Sequence, residues 1–457
     1  MGKSFLFLLT GLFIFQIAIG QNELKARLEY EEAEKAFNEN KFEDAVNRLN
    51  KAQEYLGKWS AKIGYLKIVA LDNLIDYSDP DNKYSKLQQT EVKQYMDYAN
   101  NNQKDVDVDK FKQVYTVEEK ITVLKRVDAE QEMPEYKKAD QYYEEKNYPE
   151  ALQWFKTSAD RGNSLAMYRM GQLNYTGTGV SENNKEALAW FKKAADNGHL
   201  RACLYIGDIY FFGYGVTIDY PEAIKWFKKV EGNAAAMNII GFSYDYGKGV
   251  PINYSEAINW YKRSADKGHS EAMFRIGHLY ERGAGVAKDY TEAMNWYKKS
   301  ADKENNLAFN SIGDLYSDGN GVTKSETEAI IWYKKSADKG NLYATGRLGD
   351  IYYDNKNFDE AVKWLIKYAE AKEDATNTMY KLGELFYTGG FKDGLIHYPQ
   401  QNFIKCIFWY TKAAEKGHSA AMYNLWAIYR YGNNGFKEYK DRDKAKEWWS
   451  KYEKAKK

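Results

Sequence analysis

A tryptophan recurs along the chain at positions 154, 190, 226, 260, 296, 332, 364, 409 and 448, in steps of 36, 36, 34, 36, 36, 32, 45 and 39 residues. No other feature restricts the fold as much. A unit of this length cannot bury a core alone, so successive units must stack and cover one another. Three residues before each tryptophan stands a small residue, from Ala151 to Ala445, with Cys406 in the eighth place. A second ladder runs Gly171, Gly207, Gly241, Gly277, Gly313, Gly349 and Gly383, with Trp426 in the eighth slot. Small residues at these spacings let two antiparallel helices approach closely. In the first full unit, helix A is expected over about 164–175 and helix B over about 185–195.

Between the two helices lies the segment YTGTGV (175–180), with copies FFGYGV (211–216), DYGKGV (245–250), ERGAGV (281–286) and SDGNGV (317–322). Paired glycines before a helix invite a phosphate-loop reading. No strand precedes them, however, and no Lys-Ser/Thr follows. An active site does not come five times over. The loop is expected to be a helix C-cap and turn, where glycine closes the last turn at positive φ, with Val180 plugging the gap between the helices.

This pattern, carried by AMYRMGQLNYTGTGVSENNKEALAWFKKAADNGH (166–199) and its copies, resembles the Sel1-like repeat family, relatives of the tetratricopeptide repeat. The resemblance covers residues 133–457. It implies an all-α fold, a right-handed α-α superhelix of helical hairpins that serves as a platform for other proteins. Two departures stand out. Counting the unit that begins at Ser164 as repeat 1, repeat 6 lacks the glycine loop (YYDNKNFDEAV, 353–362), and repeat 7 carries an insertion (YTGGFKDGLIHYPQQNF, 387–403) with Phe391, His397 and Tyr398. Residues 21–132 read as a degenerate, tetratricopeptide-like helical region. One hairpin is expected over 30–57, with Ala33, Phe37, Phe42 and Ala45 at the packing positions. A second is expected from Trp59 to about Ala99, and a linker over 101–110. The last helix, DRDKAKEWWSKYEKAKK, is expected to cap the array with polar residues.

The first twenty residues carry Lys3, an apolar run from Phe5 to Ile19, and small residues at Ala18 and Gly20 before Gln21. This is the pattern of a cleaved export signal, and the run is too short to span a bilayer. Export places the chain in a periplasm or outside the cell. The sequons at Asn174 and Asn253 do not decide between a bacterium and a eukaryote. Lys and Arg number 66 against 65 Asp and Glu, a balance that argues against nucleic acid as a partner. Cys203 and Cys406 lie about five repeats apart in packing slots, so they form no disulfide framework.

For chemistry the sequence offers little. Burying each tryptophan is worth roughly 4–6 kcal/mol gross, so the row is expected in the core. His199, His269 and His418 follow glycine in equivalent turns, His278 and His397 are isolated, and no pair has zinc spacing. Lysine-arginine pairs at 192–193, 228–229, 262–263, 298–299 and 334–335 sit near the ends of B helices, where cations suit the helix dipole. With Asp196, Asp266, Asp302 and Asp338 four residues on, they are expected to form a solvated, self-compensated face. No cofactor, metal or catalytic constellation is expected.

By the same resemblance, A helices line a concave surface. Positions three before, one after and four after each marker glycine are expected to face it. Among them are Tyr168, Gln172 and Tyr175, then Asp208 and Phe211, then Phe242 and Asp245. Phe274, His278 and Glu281 follow, then Asp314, Asp350 and Tyr353. These positions vary from repeat to repeat and hold aromatics and carboxylates but no Lys or Arg. The reading is an exported, non-catalytic scaffold that binds a protein or an extended, basic peptide segment in this groove. Recognition of an envelope polymer such as peptidoglycan is the alternative. A hydrolase acting on cell-wall-like material, implied by some secreted relatives, lacks a visible nucleophile.

Overall fold

A computed structural model of the chain describes residues 21–75, 82–102, 106–230, 232–388, 400–432 and 439–456. The leader and Phe391, His397 and Tyr398 of the insertion lie outside the described residues. All regular structure described is helical. The chain divides into two compact units, one of residues up to 279 with 283–287, the other of 280–282 with 288–457.

In the first unit, an opening hairpin (Pro134–Glu144 and Tyr148–Asp160) leads into repeat 1, with helix A at Ser164–Thr176 and helix B at Asn184–Asp196. Repeat 2 follows at Leu200–Phe212 and Tyr220–Lys228, and repeat 3 at Ala234–Tyr246 and Tyr254–Asp266. Helix A of repeat 4, Ser270–Arg282, spans the division, and its helix B is Tyr290–Ala301. In the second unit, repeats 5 to 8 have A helices Asn306–Asp318, Leu342–Asp354, Thr376–Thr388 and Ser419–Tyr431. Their B helices are Glu326–Asp338, Phe358–Ala371, Gln400–Glu415 and Arg442–Ala455.

Local signals explain the boundaries. A helices begin at side chains that accept a hydrogen bond from a free N–H of the first turn: Asn163 from Ala166, Asn233 from Ala236, Asn341 from Ala344. His269 and His418 do the same through Nδ1, at 3.3 and 3.2 Å. Two of the three turn histidines are therefore helix caps. At the other end Gly177 takes φ of +69° as C-cap, as expected for the loop. The second glycine of each loop has a separate task. A methyl group at Gly321 would lie 2.6 Å from Tyr290 at the start of the preceding B helix, so only glycine lets the loop rest on that neighbour. Repeat 6 closes without the loop, through Lys356 at φ +58°.

The core corrects the expectation for the tryptophans. Trp190, Trp226, Trp409 and Trp448 are buried, but Trp154, Trp260, Trp296, Trp332 and Trp364 are only half-buried. The fully enclosed residue is the next one: Phe155, Phe191, Phe227, Tyr261, Tyr297, Tyr333 and Tyr410 are at most 1% exposed. It lies against the marker glycine, where a methyl group would stand 2.7 Å from the ring at Gly241 and Gly313. The tryptophan flanks this contact and carries a cation instead. Lys193, Lys229, Arg263, Lys299 and Lys335 lie 4.1, 3.6, 4.3, 4.1 and 4.0 Å from the centres of the tryptophans three residues earlier. The second member of each basic pair is thus a cation–π partner rather than part of a purely solvated face.

The N-terminal helices do more than start the array. Helices 21–38 and Phe42–Leu56 form a hairpin closed by Phe37 against Phe42 at 5.3 Å, with Ala33 and Ala45 buried. Helices Ala61–Leu74 and Ser85–Asn101 are joined by a buried ion pair, Lys67 to Glu91 at 2.7 Å, to which Trp59 Nε1 also donates. A 24-residue helix, Val108–Gln131, then runs into the array. This region lies along three successive turns of the repeats. Arg126 donates to the Asn197 carbonyl, Gly232 faces the Ile75 carbonyl, and Lys267 Nζ donates to that carbonyl at 3.1 Å.

Candidate functional site

The A helices place the expected recognition positions on one face because they recur one helical turn apart. In the first unit, this face is a chain of aromatic contacts. Tyr168 is itself buried, stacked on His199 at 4.4 Å, so it supports the surface rather than presenting one. Gln172 donates to Tyr168 at 2.9 Å and to Tyr205 at 3.3 Å. Tyr175, half-buried, meets Tyr205 at 5.6 Å and exposed Tyr214 at 6.0 Å. Phe211 is 8% exposed, enclosed by Tyr220, Phe227 and Phe242. Phe242 stacks on Tyr246 at 4.5 Å, and the Arg275 guanidinium lies over both rings. Phe274 and His278 lie parallel at 6.2 Å.

Tyr168, Phe211 and Asp245 are therefore corrected from surface to interior positions. Packing between neighbouring A helices covers them, and spacing along one helix does not reveal that. Asp245 is 3% exposed and accepts from the buried Tyr261 hydroxyl at 3.4 Å.

In the second unit, the carboxylates are similarly engaged. Glu281 accepts from the Tyr297 hydroxyl. Asp314 accepts from Tyr333 and, at 2.8 Å, from Tyr343. Asp350 pairs with Lys381 at 2.6 Å, and Glu384 accepts from Tyr410 and from Asn424 at 2.7 Å. Tyr353 meets Phe358 at 6.0 Å and Lys381 at 5.4 Å. The expectation of a face free of cations needs amending. The position two before the marker glycine holds Arg169, Arg275, Arg347 and Lys381, one residue away from those taken to face the groove, and these reach back over the preceding repeat.

Asp208 and His199 in the first unit depart far from ordinary values. Burial raises the Asp208 carboxyl from 3.8 to about 6. Burial, then Arg201, lowers the His199 imidazole to about 3. Its Nδ1 lacks the capping bond that His269 and His418 make. Cys203 and Cys406 are free, buried thiols, with Cys203 raised to about 11 by burial, unsuited to nucleophilic work. Among the described residues no group of three or more His, Cys, Asp or Glu is placed to hold a metal, and no helix is long and apolar enough to cross a membrane. A separate polar cleft of about 460 Å³ lies between the N-terminal helices and repeat 3, lined by Asp72, Lys120, Lys262, Arg263 and Lys267 among others.

The repeats seen in the helices match the Sel1 repeat nine times in succession, at 140–163, 164–199, 200–229, 234–269, 270–305, 304–341, 343–372, 377–418 and 419–451. The chain belongs to the Sel1 repeat family. A Sel1 repeat protein from Oxalobacter formigenes, of known crystal structure, is 34% identical over 52% of this chain and 99% of its own, with a TM-score of 0.47. The Escherichia coli protein c5321, described as a protective antigen of uropathogenic strains with an SLR fold, is 24% identical over 96% of this chain and 92% of its own, with a TM-score of 0.53. That second likeness concerns the fold alone. No curated protein matches the chain. Repeats of this family generally mediate protein interactions, and the fold is that of an interaction scaffold.

Proposed function

We propose that the protein is an exported, non-catalytic scaffold whose A-helix face holds an extended, basic segment of a partner protein. The observation that carries this reading is the half-buried aromatic surface of the first unit. The half-buried rings of Tyr175, Phe242 and Phe274 share the expected recognition positions with half-buried Asp208 and His278. Such rings lose little conformational freedom on contact, which suits them to recognition. Export rests on the leader, and cleavage before Gln21 is checked by N-terminal sequencing of protein recovered from its native host.

The test is in-cell crosslinking with mass spectrometry, comparing wild type with a Phe242→Ala/Phe274→Ala variant. Phe211 is left intact because it is buried. A protein partner that is recovered with wild type and lost with the folded variant supports the reading. Identical partner lists exclude this face as the binding surface. Retention of the chain on insoluble wall material, with no protein partner, would favour envelope-polymer recognition instead.

A further inference from the structure

Asp245, Glu281, Asp314, Asp350 and Glu384 on the A-helix face each have at least one of two supports within the fold. One is the hydroxyl of a buried tyrosine directly after the tryptophan of the same repeat. The other is a polar residue two before the next marker position, a glycine or, in repeat 8, Trp426. Asp314 has Tyr333, Asp350 has Lys381, and Glu384 has both Tyr410 and Asn424. Asp245 and Glu281 have Tyr261 and Tyr297.

Asp208 occupies the same position as Asp314, Asp350 and Glu384, one residue after the marker glycine. Its tyrosine slot holds Phe227, and its second slot holds Ile239. Both supports are replaced by apolar side chains. Among the described residues Asp208 makes no hydrogen bond and no ion pair, and burial alone perturbs it. A carboxylate drawn partly out of water with nothing to neutralise it is unfavourable, and a fold with a ready repair at two positions has not used it. The surroundings add a second element. Tyr175 is near enough to feel the Asp208 charge, and Phe211 lies one turn away on the same helix, in contact with Phe242 at 6.2 Å.

We propose that Asp208, with Tyr175 beside it, is the socket for one lysine or arginine side chain of the bound segment. An alkylammonium or guanidinium group there would neutralise the carboxylate beside the Tyr175 ring, and aromatic faces attract cations. This rests on the groove reading above and names the chemistry of one position in it. The other acidic positions already hold hydrogen-bond or ion-pair partners within the fold.

The test uses the full chain and a random nonapeptide phage library. Wild type is expected to select peptides with a basic residue at one fixed position. In the best binder, lysine to norleucine should weaken affinity at least tenfold. Asp208→Asn should weaken it similarly, and the two changes together should cost no more than either alone. Phe227→Tyr keeps the carboxylate but supplies the hydroxyl seen at Tyr333. It should raise the thermal midpoint while lowering affinity for the lysine peptide, which separates occupancy of the socket from damage to the fold. Binders without a basic residue, or an unchanged lysine preference in Asp208→Asn, would overturn the socket. If Phe242→Ala still abolishes binding in that case, the groove reading survives without it. Finding no binder, or binders indifferent to both substitutions, removes both.

Discussion

Burial acts on Asp208 and His199 in the same way, against the charged form, and yields opposite pH signatures. Asp208 has a folded pKa of about 6 against an ordinary 3.8, so its protonated form favours the fold. Its contribution is fully present below about pH 4 and is lost as pH rises through 6. Asp208→Asn is therefore expected to be more stable than wild type at pH 7.5, by at most about 3 kcal/mol, with the gap closing at pH 4. Urea unfolding at the two pH values measures this, and an equal gap at both would refute it. His199 runs the other way. Its pKa falls to about 3, so its contribution is present above about 6.5 and lost as pH falls. His199→Asn, which restores the cap seen at Asn163 and Asn233, should recover about 2–3 kcal/mol relative to wild type at pH 4.5. The sequence showed His199 as one of three equivalent turn residues. Its enclosure against Tyr168 depends on how repeats 1 and 2 meet, which no local pattern encodes.

Within elements, the decisive contact joins the marker glycine of helix A to the aromatic residue after the tryptophan of helix B. At Gly207 a methyl group would lie 2.5 Å from the Phe227 ring. Gly207→Ala is expected to cost about 1–3 kcal/mol in thermal unfolding, and a neutral effect would mean that the helices separate without penalty. The glycine and tryptophan ladders were both legible from spacing, and so were the hairpins. Which aromatic is enclosed was not, because adjacent residues on a helix point about 100° apart and both are apolar. The N-terminal hairpins carry a different device. Lys67 and Glu91 are 2% and 4% exposed on the side chain and hold one another, with Trp59 and Gln53 completing the set. Lys67→Met should destabilise by about 3–5 kcal/mol, because it strands a buried carboxylate, while Lys67→Met with Glu91→Leu should recover most of the loss. No periodicity announces this pair, since both residues are expected on the surface of a helix.

Across the whole molecule, stability is a sum of hairpins and of contacts between neighbours. A perturbation should therefore stay local. Gly383→Ala pushes on the Tyr410 ring in repeat 7. Hydrogen exchange is expected to speed up in 376–388 and 403–415 and in the adjoining repeats, while 200–266 keeps its wild-type protection. Loss of protection throughout would show that the chain unfolds as one cooperative body. The sequence alone determined the repeat, its boundaries and its family, because each hairpin is built from short-range signals: caps, turn glycines and helical periodicity. Only the tertiary structure decided which acidic residues are already satisfied, which tryptophans hold a cation, and that Asp208 has no support among the described residues. Those outcomes depend on what an adjacent repeat places opposite a given side chain, some 20 to 40 residues away in sequence, and that pairing exists only once the hairpins have stacked.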